Sequence, residues 1–235
     1  MASISLLTTT APPLFLPIPS PSASPIRISH SLPLHHHKKL RTRLTLRASA
    51  VSAPSLSKPD DLVNALLSKV VQTDRGVLLT TEEHGKVAEM ASDLESFCVD
   101  EPVKCPLIFG EWDVVYCSNP TSPGGLYRSA VGRLFFKTKE MIQILEAPDT
   151  VRNKVSFSLF GFLDGEVSLK GKLNVLDEKW IQVVFESPEI KIGGLETRYG
   201  GESEVKLEII YIDEKMRLGK GSRGSLFVFQ RRGTF

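Results

Sequence analysis

Ser203–Gln230 reads SEVKLEIIYIDEKMRLGKGSRGSLFVFQ. Val205, Leu207, Ile209 and Tyr211 alternate with Lys206 and Glu208, the period-two pattern of a half-buried strand. Asp213-Glu214-Lys215 supplies a turn, Met216–Gly219 a second strand and Ser225–Gln230 a third. Between the last two lies Gly219-Lys220-Gly221-Ser222-Arg223-Gly224, a literal GxGxxG. A dinucleotide site on that motif needs a strand before it and a helix after it, so that helix amides meet the pyrophosphate. Here Leu226-Phe227-Val228-Phe229 follows, which is a strand, so the glycines read as a turn.

Upstream the same texture continues. Short apolar runs cover Ile108–Cys117, Arg133–Phe136, Met141–Leu145, Val155–Phe160, Glu166–Val175 and Trp180–Glu186. Pro123-Gly124-Gly125, Asp164-Gly165, Asp177-Glu178-Lys179, Gly193-Gly194 and Gly200-Gly201 supply turns. No helical segment alternates with these strands, which disfavours a parallel α/β sheet and favours an antiparallel meander. The chain is therefore mainly β, with about 8–9 strands in residues 107–231. So many strands suit a closed antiparallel β-barrel, because open edges invite aggregation. An eight-stranded barrel is just wide enough for one small apolar ligand. The same pattern fits a barrel filled by its own side chains, and periodicity alone favours the filled form. If the barrel is hollow, alternation nominates Phe157, Phe185, Ile209, Tyr211 and Phe227 as its lining.

Two short α-helices precede the barrel, in residues 60–106. Ser57-Lys58-Pro59-Asp60 is a helix start, with Pro in the first turn and acids facing the positive end of the dipole. Leu62, Val63, Leu66, Leu67 and Val70 form its apolar stripe, and Asp74-Arg75-Gly76 ends it. A second helix begins near Thr81-Glu82-Glu83 and carries Val87, Met90, Ala91, Leu94 and Phe97.

Residues 1–59 differ in kind. They hold no Asp or Glu, seven Lys or Arg, nine of the 15 prolines, 11 serines and five threonines. Such a segment reads as a chloroplast transit peptide and disordered leader over 1–50, with a linker over 51–59. Pro12, Pro13, Pro17 and Pro19 break the only apolar core available to a secretory signal. Residues 60–235 carry 22 Lys or Arg against 27 Asp or Glu, a net of −5. That argues against nucleic acid as a partner, because displacing phosphate counterions needs a basic face. No stretch approaches the ~20 apolar residues of a transmembrane helix.

No catalytic constellation emerges. The chain has no GxSxG, no HExxH and no zinc spacing among Cys98, Cys105 and Cys117, which read as reduced, partly buried thiols. No metal and no cofactor is expected. His84, the one histidine beyond the leader, reads as a solvated helix residue. Asp164/Glu166 and Glu202/Glu204 flank turns and read as hydrated surface charge. Gly110-Glu111-Trp112 opens the first strand. A Gly-x-Trp at the mouth of a barrel lets the indole close one end, with an Arg from the last strands over the ring. Arg217 and Arg223 are the candidates for that arginine.

These pieces add up to a resemblance. Thr73-Asp74-Arg75-Gly76, Leu94-Glu95, Leu107–Ser118 (LIFGEWDVVYCS) and Glu214–Phe229 (EKMRLGKGSRGSLFVF) resemble the plastid lipid-associated proteins, also called plastoglobulins or fibrillins. The likeness runs from about Asp60 to Arg231. Gly110, Trp112, Tyr116 and Ser118 match the barrel-opening motif, and Gly224, Leu226, Phe227 and Val228 the closing one. The resemblance implies a lipocalin-like barrel and a non-catalytic protein that binds or moves hydrophobic metabolites: a quinone, a carotenoid or an acyl lipid. Its expected partners are that hydrophobic small molecule or lipid and a thylakoid or plastoglobule surface, met as a peripheral membrane protein. Two rival readings stay open: a filled barrel docking on a plastid membrane complex or enzyme, and a lipocalin-like enzyme using a cavity-facing polar residue such as Glu186 or Arg133.

Overall fold

The computed structural model describes residues 58–119 and 132–233. The leader and the Pro123-Gly124-Gly125 turn lie outside the described residues, as does Ser57, the first residue of the expected helix start. Helix α1 (Pro59–Val70) starts at Lys58, with Pro in its first turn and Asp60 and Asp61 beside the positive end of the dipole. Helix α2 (Thr81–Glu95) begins with a reciprocal cap. The Thr80 hydroxyl accepts from the Glu83 amide at 3.3 Å, and the Glu83 carboxylate accepts from the Thr80 amide at 2.8 Å.

After two 3₁₀ turns, Pro102–Lys104 and Pro106–Ile108, the sheet begins. Its strands are β1 (Gly110–Cys117), β2 (Phe136–Glu146), β3 (Thr150–Leu159), β4 (Leu163–Val175), β5 (Trp180–Phe185), β6 (Glu189–Ile192), β7 (Leu195–Arg198), β8 (Ser203–Ile212), β9 (Met216–Gly221) and β10 (Leu226–Arg231). Neighbours run β3-β2-β1-β10-β9-β8-β5-β4, and β4 pairs back onto β3. All these pairings are antiparallel, so eight strands close a barrel. The remaining two strands, β6 and β7, form a hairpin added to the Gly165–Ser168 stretch of β4, beyond the end of β5. The fold is the expected mainly-β barrel preceded by two helices.

Several boundaries differ from the sequence reading. Residues 133–136 were expected to be a strand, but Gly132–Phe135 is a single helical turn, α3, and β2 then runs unbroken from Phe136. The β6–β7 hairpin was not expected at all. Its tip is the Gly193-Gly194 turn that the sequence did mark. Gly219–Gly224 is the end of β9 and the turn into β10, as the strand after the glycines requires.

Two apolar clusters organise the molecule. The first lies outside the barrel. Val63, Leu66, Val70, Val87, Ala91 and Leu94 of the helices pack on Tyr116, Ile210, Tyr211, Met216, Leu218 and Val228 of the β1-β10-β9-β8 wall. The second lies inside, around Trp112, Ile181, Ile209 and Phe229, with Val103 and Ile108 of the 3₁₀ turns plugging the end near Gly110. We call that plugged end the floor and the opposite end the rim. Among the described residues, no helix is long and apolar enough to cross a membrane.

Candidate functional site: the barrel cavity and its floor

The barrel is not filled. A cavity of about 300 Å³ occupies its interior. Its walls come from β1, β2, β3, β4, β5, β8 and β10, and include Val114, Val155, Leu169, Val183, Phe185 and Phe227. Gln143, Asn153 and Ser203 are the polar members of the lining. Ser203 and Val205 are both cavity-lining and exposed, so the hollow reaches the surface where β8 begins. The volume sits at the low end of small-molecule pockets, roughly 300–1,000 Å³.

Two of the five nominated lining residues, Phe185 and Phe227, border the cavity. Phe157 is buried nearer the rim, 5.7 Å from the Phe136 ring and paired with Gly165. Ile209 is buried in the interior cluster but does not border the hollow. Tyr211 lies on the outer wall, under the helices, where its hydroxyl donates to Asp213 Oδ2 at 2.9 Å. The cause is a bulge between Ile209 and Tyr211, which inserts a residue and reverses the alternation. Burial pushes the Tyr211 phenol well above its ordinary value.

Trp112 is fully buried at the floor, its Nε1 donating to the Ile108 carbonyl at 3.1 Å. Arg217 stands over it with Cζ 4.9 Å from the ring centroid, and 4.2 Å from that of Phe229. Arg223, the other candidate, is exposed in the β9–β10 turn, because β9 carries the chain away from the floor. A second arginine does reach the indole. Arg231, paired with Trp112 across β1 and β10, places its Cζ 4.1 Å from the ring. Its Nη1 donates to the Phe109 carbonyl at 3.1 Å and its Nη2 to the Leu107 carbonyl. Nothing in the sequence marks this residue, because it falls just past the expected end of the last strand.

Gly110 makes that arrangement possible. Its φ is +124°, and a Cβ there would sit 2.5 Å from Arg231 Nη1. The Gly-x-Trp spacing thus has a steric reason: glycine admits the guanidinium that covers the tryptophan two residues on.

Tyr116, also expected at the closure, points the other way. A second bulge, between Val114 and Tyr116, turns it outward onto the helices. There its hydroxyl lies 2.6 Å from His84 Nδ1, so His84 is a half-buried partner and not a freely solvated residue. Gly76, which ends Thr73-Asp74-Arg75-Gly76, lies against the same ring. A Cβ at Gly76, φ +91°, would meet Tyr116 at 2.9 Å.

The polar groups at the floor form a chain. Arg217 Nη2 donates to Gln143 Oε1, and Gln143 Nε2 donates to Asn153 Oδ1 at 3.2 Å. Trp112, Gln143 and Asn153 are direct partners across β1, β2 and β3. Arg217 Nε and Nη1 are buried with no hydrogen-bond partner among the described residues. Burial, and secondly the charge of Arg231, draws the Arg217 guanidinium below its ordinary value.

The carboxylates lie elsewhere. Asp164 pairs with Lys139 at 2.7 Å, Glu166 with Lys154 at 2.6 Å and Glu204 with Lys206 at 3.3 Å. Lys139 and Ser158 hold the Asp164 carboxyl below its ordinary range, the opposite of what a general acid needs. Glu186 is exposed and does not border the cavity, and the Arg133 side chain lies outside the described residues. Cys98 and Cys105 are free thiols among the described residues, and the buried Cys117 Sγ donates to the Asn119 carbonyl at 3.0 Å.

At the rim, aromatic side chains project into solvent. Phe162 is 81% exposed, and Phe160 and Phe135 are exposed beside it, with ring centroids 6.3 Å and 5.6 Å from partner to partner. Leu195 at the tip of the β6–β7 hairpin is 80% exposed.

A family model described as PAP_fibrillin matches residues 60–198. The chain is 62% identical over 208 residues to "Probable plastid-lipid-associated protein 8, chloroplastic" of Arabidopsis thaliana, covering 87% of each chain. It is 24% identical over 195 residues to "Probable plastid-lipid-associated protein 5, chloroplastic" of the same plant, covering 81% of this chain and 79% of that one. No solved structure matches it.

Proposed function

The chain belongs to the PAP fibrillin family of plastid lipid-associated proteins, and from that premise we propose that it is a non-catalytic chloroplast carrier of hydrophobic metabolites. It takes part of a quinone, carotenoid or acyl lipid into its barrel while attached at the rim to a thylakoid or plastoglobule surface. Residues 1–50 act as the transit peptide. The observation that carries this reading is the apolar cavity of about 300 Å³. About eight methylenes buried there, at ~0.8 kcal/mol each, contribute roughly 6 kcal/mol, which corresponds to a Kd of some tens of micromolar. A longer chain extends out of the mouth.

The exposed Phe135, Phe160 and Phe162 support the attachment. The net charge of −5 over residues 60–235 supplies no pull towards anionic lipid, so apolar contact must do so. A hollow interior weighs against the filled docking module, and the exposed position of Glu186 against the enzyme reading.

Titration of the delipidated protein with plastoquinone, β-carotene and galactolipid tests the proposal. Saturable one-to-one uptake is expected for at least one of them, with the Trp112 fluorescence reporting a bound quinone. Absence of saturable uptake of all three overturns it.

A further inference from the structure

We infer that the floor side of the cavity is a hydrogen-bond donor site, built by Asn153, for a carbonyl or carboxylate oxygen on the ligand's head. This rests on the carrier reading above and narrows its ligand class. The argument is one of donor and acceptor identity. An arginine has donors only, so Gln143 must turn its oxygen to Arg217, as observed. That leaves Gln143 its NH₂ group, which donates to Asn153, so Asn153 must in turn present its own oxygen. The two amide orientations, normally ambiguous, are thus dictated by one cation.

Asn153 Nδ2 is left over. Asn153 borders the cavity, and among the described residues no hydrogen bond to its NH₂ is found. The nearest wall neighbours on its own strand, Val151 and Val155, are apolar. A donor in an apolar hollow is satisfied by an acceptor that the ligand brings.

The electrostatics point the same way. Arg217 is fully buried and spends one nitrogen on Gln143, while among the described residues Nε and Nη1 have no partner and no carboxylate neutralises it. Arg231 beside it bonds backbone carbonyls. Positive charge therefore stands behind the amide chain and favours an oxygen that carries partial or full negative charge. A pure hydrocarbon leaves Asn153 unsatisfied. A molecule with an sp² oxygen at one end of an apolar body fits head inward and tail towards the mouth. Ketones and quinones on one side and fatty acids on the other share that chemistry.

Three probes of similar length separate these cases: dodecane, dodecyl methyl ketone and dodecanoate, each displacing a solvatochromic dye from the protein. Asn153→Leu keeps the volume and removes the donor. It is expected to weaken the ketone and dodecanoate about tenfold and to leave dodecane unchanged. Asn153→Asp keeps the shape and replaces the donor with a charged acceptor. It is expected to weaken dodecanoate most, the ketone less and dodecane least, and it carries the test if the Leu variant fails to fold. In the unmodified protein, dodecanoate binding more tightly than the ketone identifies the carboxylate as the favoured source, and the reverse identifies the neutral carbonyl. Equal effects of both variants on all three probes, or no effect, overturn the inference while leaving the carrier reading intact. No dye displacement by any probe overturns both.

Discussion

Gly110 and Trp112 show how far two residues can be read without a structure. Their spacing reads as barrel closure, and at that position a positive φ and a missing Cβ admit Arg231 over the indole. The full set of arginines could not be chosen from sequence. Arg217 and Arg231 both meet the ring while Arg223 does not, and Arg231 gets there through the register of β1 against β10. Gly110→Ala adds both the left-handed strain and a collision with a guanidinium pinned by two carbonyls. A loss of about 2 kcal/mol is expected, read as a lower urea midpoint with unchanged slope.

Tyr116 offers a test through pH. Burial raises its phenol to about 12 from an ordinary value of 10.0. Between those values the folded protein keeps a proton that the unfolded chain has released. The stabilisation is complete below the unfolded value and is lost as pH rises towards the folded one, at roughly 1.4 kcal/mol per pH unit. Tyr116→Phe removes this contribution. Its urea midpoint is expected to fall less than that of the parent between about pH 8 and about pH 11. At neutral pH the variant costs about 1 kcal/mol, because His84 loses its partner.

At the scale of elements, alternation located the strands well and failed where a bulge intervened. β1 and β8 each carry one, and each turns a tyrosine, Tyr116 or Tyr211, from the inside to the helix-covered outer wall. A single extra residue reverses the face of all that follow, and nothing in composition announces it. The β6–β7 hairpin escaped for a different reason: its strands are four residues each, and β7 is exposed throughout. The cap of α2 rests on Thr80 and Glu83, one residue before the start that the sequence marks. Thr80→Ala is expected to cost about 1 kcal/mol, measured by thermal unfolding. Phe160 and Phe162 belong to the turn between β3 and β4 and bury little. Replacing both with Ser is expected to lower partitioning onto galactolipid vesicles at least tenfold, as read by co-sedimentation, while the melting temperature stays within about 2 °C.

For the whole molecule, strand count and the need to hide edges led to a closed barrel, but whether it was hollow was beyond reach. Hollowness depends on how side chains on opposite walls meet, which one-dimensional periodicity does not encode. Val183 gives the means to separate space from stability. It is buried and borders the cavity, so Val183→Phe fills part of the void. Affinity for any apolar ligand is expected to drop at least tenfold in a dye-displacement assay, with the melting temperature unchanged or raised by a few degrees.

The plug of Val103 and Ile108 over Trp112 carries a consequence for traffic. On the carrier proposal, cargo enters and departs through the doorway that the described residues leave where β8 begins. A carrier of that shape would not conduct molecules from one compartment to another; it would fill, detach and empty in turn. Delivery is then governed by how often the doorway faces donor and acceptor surfaces, and a passenger seated head first leaves tail first.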